Sequence, residues 1–319
     1  MNEAQIVARI RELFSERIGD DAAVVGGQVV TTDMLIEDVD FTRSIPLAAI
    51  ARKSLAVNLS DLAAMGATPQ FAVAAFGLPD WTLGRIDEFL VALRDAARQH
   101  RIEIVGGDLS RSEKLVIAIT AIGKAPARPL LRSGAKANDR VYVSRPIGGS
   151  AAGLLLLQQG WSVDGDPPRK VGYAEIEFAR SAIRRHIDPE PETELGIALA
   201  ALTDITACID ISDGLSTDLH HLCDAAECGA EIERERLPIF PDLMGAGIAL
   251  GLKPQDCVLH GGEEYALLFT SPLRESDLST KLKRPVYAIG RITRARGVVL
   301  REDGVPRPLE AKGWDHFRM

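Results

Sequence analysis

The spacing of apolar residues changes repeatedly along this 319-residue chain, which predicts strands and helices in irregular alternation. Apolar residues three or four positions apart predict helices at 46–66, 83–100, 151–159, 173–186, 192–203 and 215–227. Short alternating or β-branched runs predict strands within 22–35, 102–108, 115–123, 140–144, 206–211, 265–270, 285–292 and 297–303. Gly26 and Gly27 predict a hairpin turn in the first of these segments.

This mixture predicts an α/β domain followed by an α+β domain. The run 124–139 is rich in Pro, Gly and Ala and has no periodicity, so a domain boundary is expected near its end. The predicted domains are therefore residues 1–138 and 139–319, in agreement with a prior of about 150 residues per domain.

Composition narrows the class of protein. A content of 46% hydrophobic and 26% charged residues is typical of globular proteins, and no run of about 18 uncharged apolar residues predicts a membrane span. The N-terminal residues alternate charged with aliphatic side chains, unlike the apolar core of a signal peptide. Four cysteines without a Cys-x-x-Cys pair indicate buried thiols in a reducing compartment. We therefore expect a soluble cytoplasmic protein.

The net charge of −8 argues against a nucleic-acid partner, because such proteins usually carry a basic face. The excess acid is compatible with bound cations. Short acids recur beside Gly, Ser or Thr in five segments: Gly19-Asp20-Asp21, Thr31-Thr32-Asp33, Asn58-Leu59-Ser60-Asp61, Gly107-Asp108 and Asp210-Ile211-Ser212-Asp213-Gly214. Carboxylate oxygens are ligands of Mg²⁺, which usually sits between a few carboxylates and the phosphates of a substrate.

Four of these segments have a predicted geometry. Asn58 and Asp61 lie three positions apart on the helix 46–66, where they form a polar stripe, and Asp33 and Asp108 are expected at strand ends. Strand alternation sends Asp210 and Ser212 to the same side. Taken one at a time, such acids are more often N-caps and Asx-turn residues, so the alternative of a purely structural role stays open.

Other phosphate and metal chemistries have weak support. The sequence contains no GxxxxGK[ST] loop, no GxGxxG turn and no HExxH helix. The His220-His221 pair is more typical of a helix surface than of a metal site. The turn Gly148-Gly149-Ser150 before a helix is a weak candidate for an anion site. Arg132 is a candidate for bidentate contact with nucleotide phosphates, and a solvated loop charge is the open alternative.

Nine segments in order resemble the thiamine-monophosphate kinase family, of the superfamily that includes aminoimidazole ribonucleotide synthetase and selenophosphate synthetase. They are IGDDAAVV, TTDML, AVNLSDLAAMGA, VGGDLSR, RSGAKANDRVYVS, GGSAAGL, CIDISDGLSTDL, GGEEYALLF and KGWDHF. The resemblance implies a two-domain aminoimidazole ribonucleotide synthetase-like fold. Its N-terminal domain binds ATP and metal and dimerises through its sheet, and its C-terminal α+β domain completes the active site.

The resemblance also implies the roles of individual residues. The implied ligands of several Mg²⁺ ions are Asp21, Thr32, Asp33, Asp61, Asp108, Asp210 and Asp213. The implied ATP contacts are Thr31, Gly107, Asp108, Arg132 and Ser212, with Asp210, Asp213 and Arg132 as catalytic residues. The implied substrate residues are Asp40, Glu263 and Trp314. The carboxylate of Glu263 and the indole of Trp314 suit the cationic thiazolium and flat pyrimidine of thiamine.

The sequence departs from the family pattern at two places. Asp40 stands before Phe41 where the family commonly has His, so a contact to the substrate phosphate is changed there. The segment 188–192 reads Asp-Pro-Glu-Pro-Glu where an Arg-Pro-x-Pro-Arg pattern is usual. From the sequence alone, this exchange of cations for acids has no physical explanation.

The implied reaction is ATP plus thiamine monophosphate giving ADP and thiamine diphosphate. A phosphate acceptor with a second pKa of about 6 is largely dianionic near neutral pH and needs no general base. We therefore expect direct transfer without a phosphoenzyme. Two alternatives remain: another ATP-dependent synthetase of the superfamily, disfavoured because no Cys precedes position 208 and the chain ends in HFRM, and a non-catalytic ligand-binding dimer.

Overall fold

The computed structural model describes residues 3–15 and 17–314. Its helices are α1 Glu3–Leu13, α2 Leu47–Ala64, α3 Asp80–Leu83, α4 Ile86–Gln99, α5 Gly149–Gln158, α6 Tyr173–Ile187, α7 Thr193–Ala200, α8 Leu215–Ala225, α9 Pro254–His260 and α10 Glu275–Leu282. Its strands are β1 Ala23–Val25, β2 Gln28–Ile36, β3 Thr68–Leu78, β4 Glu103–Arg111, β5 Val116–Lys124, β6 Arg140–Val143, β7 Ala207–Asp210, β8 Gly229–Glu233, β9 Leu267–Ser271, β10 Tyr287–Thr293, β11 Gly297–Glu302 and β12 Val305–Pro308.

The chain forms two compact units. The five-strand unit contains Asp21–Pro129 and Ile187–Ala200, and the seven-strand unit contains Met1–Asp20, Leu130–His186 and Ala201–Met319. In the part of the chain that is described, no helix combines the length and the apolar character needed to cross a membrane. All four cysteines are buried, as predicted.

The five-strand unit is a mixed sheet with helices on one face. Its strand order is β1-β2-β5-β3-β4, with β3 and β4 parallel and the other pairs antiparallel. The helix α2, in which 15 of 18 residues are buried, packs against β2, β3 and β5. The opposite face, here called the uncovered face, consists of Val30, Thr32, Met34, Phe71, Val73, Ala75, Ala118, Thr120 and Ile122.

The seven-strand unit is built on a second mixed sheet. Its strand order is β12-β11-β8-β10-β6-β9-β7, in which only the β8 and β11 pair is parallel. Its core strands are almost continuously buried: Tyr142 on β6 stacks on Phe269 of β9 with ring centroids 5.4 Å apart. This sheet ends at β7, whose last residue, Asp210, begins one of the predicted acidic turns.

The hairpin at 22–35 and the main predicted helices are confirmed, with ends shifted by a few residues. The predicted helix 83–100 begins only at Ile86, because a separate short helix, α3, precedes Gly84. Asp33 and Asp108 lie inside β2 and β4 rather than at strand ends, because pairing extends both strands beyond these acids. The elements that sequence reasoning missed are α1, α3, α9, α10, β3, β8 and β12.

Candidate active-site residues

The polar stripe of α2, formed by Asn58 and Asp61, contacts β2. The Thr31 hydroxyl donates a hydrogen bond to Asp61 Oδ2 at 2.5 Å, and Asn58 Oδ1 accepts one from the Asp33 N–H at 3.1 Å. Asp21 and Asp61 each offer a carboxylate oxygen within 4.8 Å of the other. The stripe thus carries Asp61 and the main chain of Asp33 into one group of acids in the five-strand unit.

The pKa of the Asp33 carboxyl is raised. Burial is the largest cause, and the negative charges of Asp40 and Asp21 add to it, so that the pKa of Asp33 rises to about 6. Closely spaced carboxylates that repel one another are a donor set suited to a hard divalent cation, because the cation relieves the repulsion. Asp21 and Asp61, which offer oxygens within 4.8 Å of each other, and Asp33, on which the charge of Asp21 acts, are here called the five-strand carboxylates. Their chemistry fits Mg²⁺.

Asp40 has a local structural role. Its carboxylate accepts a hydrogen bond from the Ile36 N–H at 2.7 Å, and its own N–H donates to the Ile36 carbonyl at 2.9 Å. The side chain therefore stabilises the turn at the end of β2. Because it also raises the pKa of Asp33, the acid at this position contributes negative charge near the carboxylates.

Two predicted ligands, Thr32 and Asp108, lie elsewhere in the same unit. Thr32 points to the uncovered face, where its Oγ lies 3.1 Å from that of Thr120, so its hydroxyl is on the opposite side from Thr31. Asp108 is exposed and pairs with Ala75 of the uncovered face. Two strands, β5 and β3, separate it from Asp33, so the structure does not group these two acids.

Gly107 is explained by strand packing. A Cβ atom added there would lie 1.7 Å from the Ala74 carbonyl oxygen. The close approach of β3 and β4 therefore requires glycine whether or not a nucleotide binds nearby.

In the seven-strand unit, the predicted turn after β7 is tightly fixed. Asp210 is 1% exposed, and Asp218 Oδ2 accepts hydrogen bonds from the N–H groups of Asp213, at 3.2 Å, and Gly214, at 2.9 Å. Gly214 has φ = 121°, which strongly favours glycine. Asp213, Asp218 and His221 each offer a ligand atom, and these atoms all lie within 4.8 Å of one another.

Sequence reasoning missed Asp218 and His221. Burial, and then the charges of Asp213 and Asp210, raise the pKa of the Asp218 carboxyl well above its usual range, against the opposing effects of the Gly214 N–H and Arg132. The available signal was an acid in the first turn of the predicted helix at 215–227, a place where carboxylates accept backbone N–H bonds.

Arg132 is held beside this turn by its main chain. Its N–H donates to Asp20 Oδ1 at 2.8 Å, and the preceding Leu131 carbonyl accepts from the Cys208 N–H of β7 at 3.1 Å. A Cβ at Gly134 would lie 1.9 Å from the Thr206 carbonyl, so this loop packs closely on the strand. The effect of Arg132 on Asp218 places its positive charge near the acidic turn.

The two predicted substrate residues also reach this turn. The Glu263 N–H donates to the Ser212 carbonyl at 2.6 Å, and the Trp314 N–H donates to the Asp213 carbonyl at 3.0 Å. Trp314 is 55% exposed. The rest of the KGWDHF motif, residues 315–317, lies outside the described residues.

The turn Gly148-Gly149-Ser150, a weak candidate for an anion site, binds a carboxylate of the protein itself. The N–H groups of Gly148 and Ser150 both donate to Glu264 Oε1 at 2.8 Å. The protein's own carboxylate therefore occupies the N-terminus of α5.

The acidic segment 188–192 now has a partial explanation. Arg52 of α2 forms a bidentate pair with Asp188, with Nε to Oδ1 and Nη2 to Oδ2 both at 2.8 Å. The negative charge of Glu190 also acts on His100, where it opposes the fall in pKa that burial causes. The acid at 188 thus pairs with a cation of the same unit.

Comparisons with known proteins identify the family. Residues 19–125 match the AIR synthase related protein, N-terminal domain, and residues 136–303 match the AIR synthase related protein, C-terminal domain. Over 314 residues the chain is 37% identical to the thiamine-monophosphate kinase of Escherichia coli K12, covering 94% of this chain and 91% of the relative.

Two further comparisons indicate the same family. The thiamine-monophosphate kinase of Aquifex aeolicus is 34% identical, with 96% of this chain and 95% of the relative covered. A solved structure described as AaThiL complexed with AMPPCP and TMP superposes with a TM-score of 0.86 and 32% identity, covering 99% of this chain and 97% of that one. The chain therefore belongs to the thiamine-monophosphate kinase family of enzymes, within the AIR synthase related proteins.

Proposed function

We propose that this protein transfers the γ-phosphate of ATP directly to thiamine monophosphate and so produces thiamine diphosphate. The observation that carries the proposal is the similarity to thiamine-monophosphate kinases over nearly the whole chain. A related structure bound to AMPPCP, an ATP analogue, supports the nucleotide as co-substrate. The convergence of Asp213, Glu263 and Trp314 on one turn supports a substrate site in the seven-strand unit.

The residues that would hold Mg²⁺ are the five-strand carboxylates in one unit and Asp210 and Asp213 in the other. When bound, the ions would neutralise phosphate charge, which is the main obstacle to transfer between two anions. The raised pKa values of Asp33 and Asp218 are compatible with this assignment, since burial and then the charges of neighbouring acids raise each of them. Thr32 and Asp108 have weaker support as ligands in the same site, because they lie on or beside the uncovered face.

The protein's own contribution to catalysis is positioning and charge. Arg132 would contact the nucleotide phosphates, and its main-chain bond to Asp20 fixes the loop that carries it. Asp218 would act on the turn that carries Asp213, because it binds the N–H groups there. Because the acceptor is already an oxyanion, no residue is needed to remove a proton from it.

The substrate rings would lie between Glu263 and Trp314. A carboxylate suits the thiazolium cation, and an exposed indole suits a flat aromatic ring. Since both residues bind the Ser212 and Asp213 carbonyls through their main chain, the substrate site and the acidic turn share one framework.

We also propose that the protein is a homodimer formed through the uncovered face. Met34 is 56% exposed, Phe71 39% and Val73 37%; Met34 lies on β2 and the other two on β3, on either side of β5. An exposed apolar sheet face of this kind marks an interaction surface. The buried thiols support a reducing, cytoplasmic location.

A substrate panel tests the reaction. Purified protein with ATP and Mg²⁺ is given thiamine, thiamine monophosphate or other small phosphates, and ADP release is measured. We expect thiamine monophosphate to be the one acceptor of this panel that gives ADP release. ADP release with another acceptor would favour a different synthetase of the superfamily, and no turnover with any acceptor would favour a ligand-binding dimer.

A further inference from the structure

His186, near the end of α6, is a buried histidine that contacts the predicted substrate loop. It is 2% exposed, and its Nδ1 lies 3.1 Å from Glu263 Oε2 and 3.1 Å from Ser150 Oγ. The Glu263 side chain is 27% exposed, so the contact joins the protein interior to a carboxylate that solvent can reach.

The arrangement of Ser150, His186 and Glu263 does not match a nucleophilic triad. In such a triad the serine and the acid contact opposite ring nitrogens, whereas here both approach Nδ1. Ser150 is also fully buried, out of reach of a substrate. A nitrogen lone pair would be repelled by a carboxylate, so Nδ1 carries a proton and donates it in a hydrogen bond to Glu263.

The main chain around Glu263 is held independently of His186. Glu263 and Tyr265 both have left-handed backbones, with φ of 58° and 48°, which is a strained conformation for these residues. Arg145 Nη2 donates to the carbonyls of Glu264, at 2.8 Å, and Tyr265, at 2.9 Å. Arg185 also donates to the Glu264 carbonyl, at 2.9 Å. These two arginines thus hold the main chain of the loop, and His186 contacts the Glu263 side chain.

We infer that His186 is a positioning residue, which orients the Glu263 carboxylate for recognition of the cationic substrate. The inference rests on the proposed function, because it takes Glu263 as a substrate contact. His186 itself touches no reacting atom. Its loss should therefore change binding of the organic substrate and leave binding of ATP unaffected.

Two amide substitutions separate this role from packing. The amide nitrogen of His186→Asn can replace Nδ1, whereas that of His186→Gln falls nearer the position of Nε2. Losing a hydrogen bond to a charged group should raise KM for thiamine monophosphate about tenfold in His186→Gln, with KM for ATP unchanged. His186→Asn should restore KM to within about threefold of the wild-type value.

A double-variant comparison supplies the decisive readout. If His186 acts through Glu263, His186→Gln should add no further rise in KM to a Glu263→Gln protein. Independent, multiplying effects of the two substitutions, or equal rises in KM for ATP and thiamine monophosphate, would overturn the inference.

A spectroscopic measurement serves if His186→Gln does not fold. Nitrogen-15 NMR of wild-type protein should show one buried histidine with a protonated Nδ1, whose signal shifts in Glu263→Gln. An unprotonated Nδ1, or a signal unaffected by Glu263→Gln, would overturn the contact. This readout needs no turnover, so it separates failure of the inference from failure of the proposed reaction.

Discussion

Asp213 combines a fixed main chain with a partly exposed carboxylate. Its N–H binds Asp218, its carbonyl accepts from Trp314, and its Oδ2 lies 4.0 Å from His221 Nε2. The side chain is nevertheless 37% exposed. Such a residue can present charge to a ligand without moving the turn that carries it.

Replacing this charge should remove activity and leave the fold intact. Asp213→Asn keeps the size of the side chain, and we expect kcat for ADP formation to fall about a hundredfold, as when one electrostatic group of a catalytic site is lost. The thermal midpoint should be unchanged. Asp224→Asn is the matched control, because Asp224 is exposed later on α8. Full turnover in folded Asp213→Asn would remove the metal-site argument.

The buried carboxylate of Glu37 stabilises the five-strand unit. Burial tends to raise its pKa, but hydrogen bonds from the Leu115 N–H at 2.8 Å, from Arg43 and from the Trp81 indole lower it overall. A carboxylate with a lowered pKa contributes stability above its unfolded pKa of about 4.5. That contribution is lost as the pH falls through the folded value.

Glu37→Gln should therefore lower the free energy of unfolding by about 2 kcal/mol at pH 7. In urea titrations, the difference from wild type should shrink as the pH falls below 4.5, because the unfolded wild-type carboxylate then binds a proton more readily than the folded one. Glu88→Gln, which breaks only a surface pair with Arg85, should have little effect at either pH. A difference between Glu37→Gln and wild type that stayed constant down to pH 3 would contradict this explanation.

At the scale of elements, the C-terminal segment is attached to the first turn of α8. The Gly313 N–H donates to Thr217 Oγ1 at 2.9 Å, next to the bond from Trp314 to Asp213. A Cβ at Gly313 would lie 2.2 Å from the Asp213 carbonyl oxygen. The attachment therefore requires a glycine at this position, and it determines where Trp314 lies.

Gly313→Ala should displace this segment and raise KM for thiamine monophosphate about threefold to tenfold, the effect of one or two lost hydrogen bonds. KM for ATP should change less. Gly84→Ala is the control, because a Cβ there meets no atom within 4 Å. Identical kinetic constants for Gly313→Ala and wild type would show that Trp314 does not depend on this attachment.

Local signals explain which elements could be predicted. The hairpin follows from Gly26 and Gly27, and α2 follows from its apolar spacing. The strand β3 gave no clear alternation, because both of its faces are apolar: Phe71 and Val73 lie on the uncovered face, and Ala72 and Ala74 face the helices. The sequence cannot reveal that, among the described residues of this unit, the helices pack on only one of these faces.

The same limit applies to the candidate site. The acidic turn at Asp210 and Asp213 was recognisable from its residues, whereas the role of Asp218 depends on backbone N–H groups that only the folded turn brings to it. The occupation of the α5 N-terminus by Glu264 is likewise a contact between segments far apart in sequence.

At the scale of the whole molecule, each of the two units is built from segments that are not consecutive in the sequence. Residues 187–200 belong to the five-strand unit, although they follow most of its sequence by more than fifty positions. No composition change marks this arrangement. The boundary near residue 138 and the domains 1–138 and 139–319 stay a prediction.

The oligomeric state is testable on the uncovered face. Light scattering should give twice the 34.4 kDa chain mass for wild type and the single-chain mass for Met34→Lys, because a charge in the apolar face opposes association. Leu83→Lys is the control, since Leu83 is similarly exposed but lies on α3. A monomeric wild type, or a dimeric Met34→Lys, would rule out this interface.

The central claim, direct phosphate transfer to thiamine monophosphate, is tested most directly by following the label from γ-³²P ATP. We predict that the label appears in thiamine diphosphate, with one ADP formed for each labelled product, and that none is bound to the protein during turnover. Label released as inorganic phosphate in step with ADP, or carried on the protein at a rate sufficient for turnover, would contradict it.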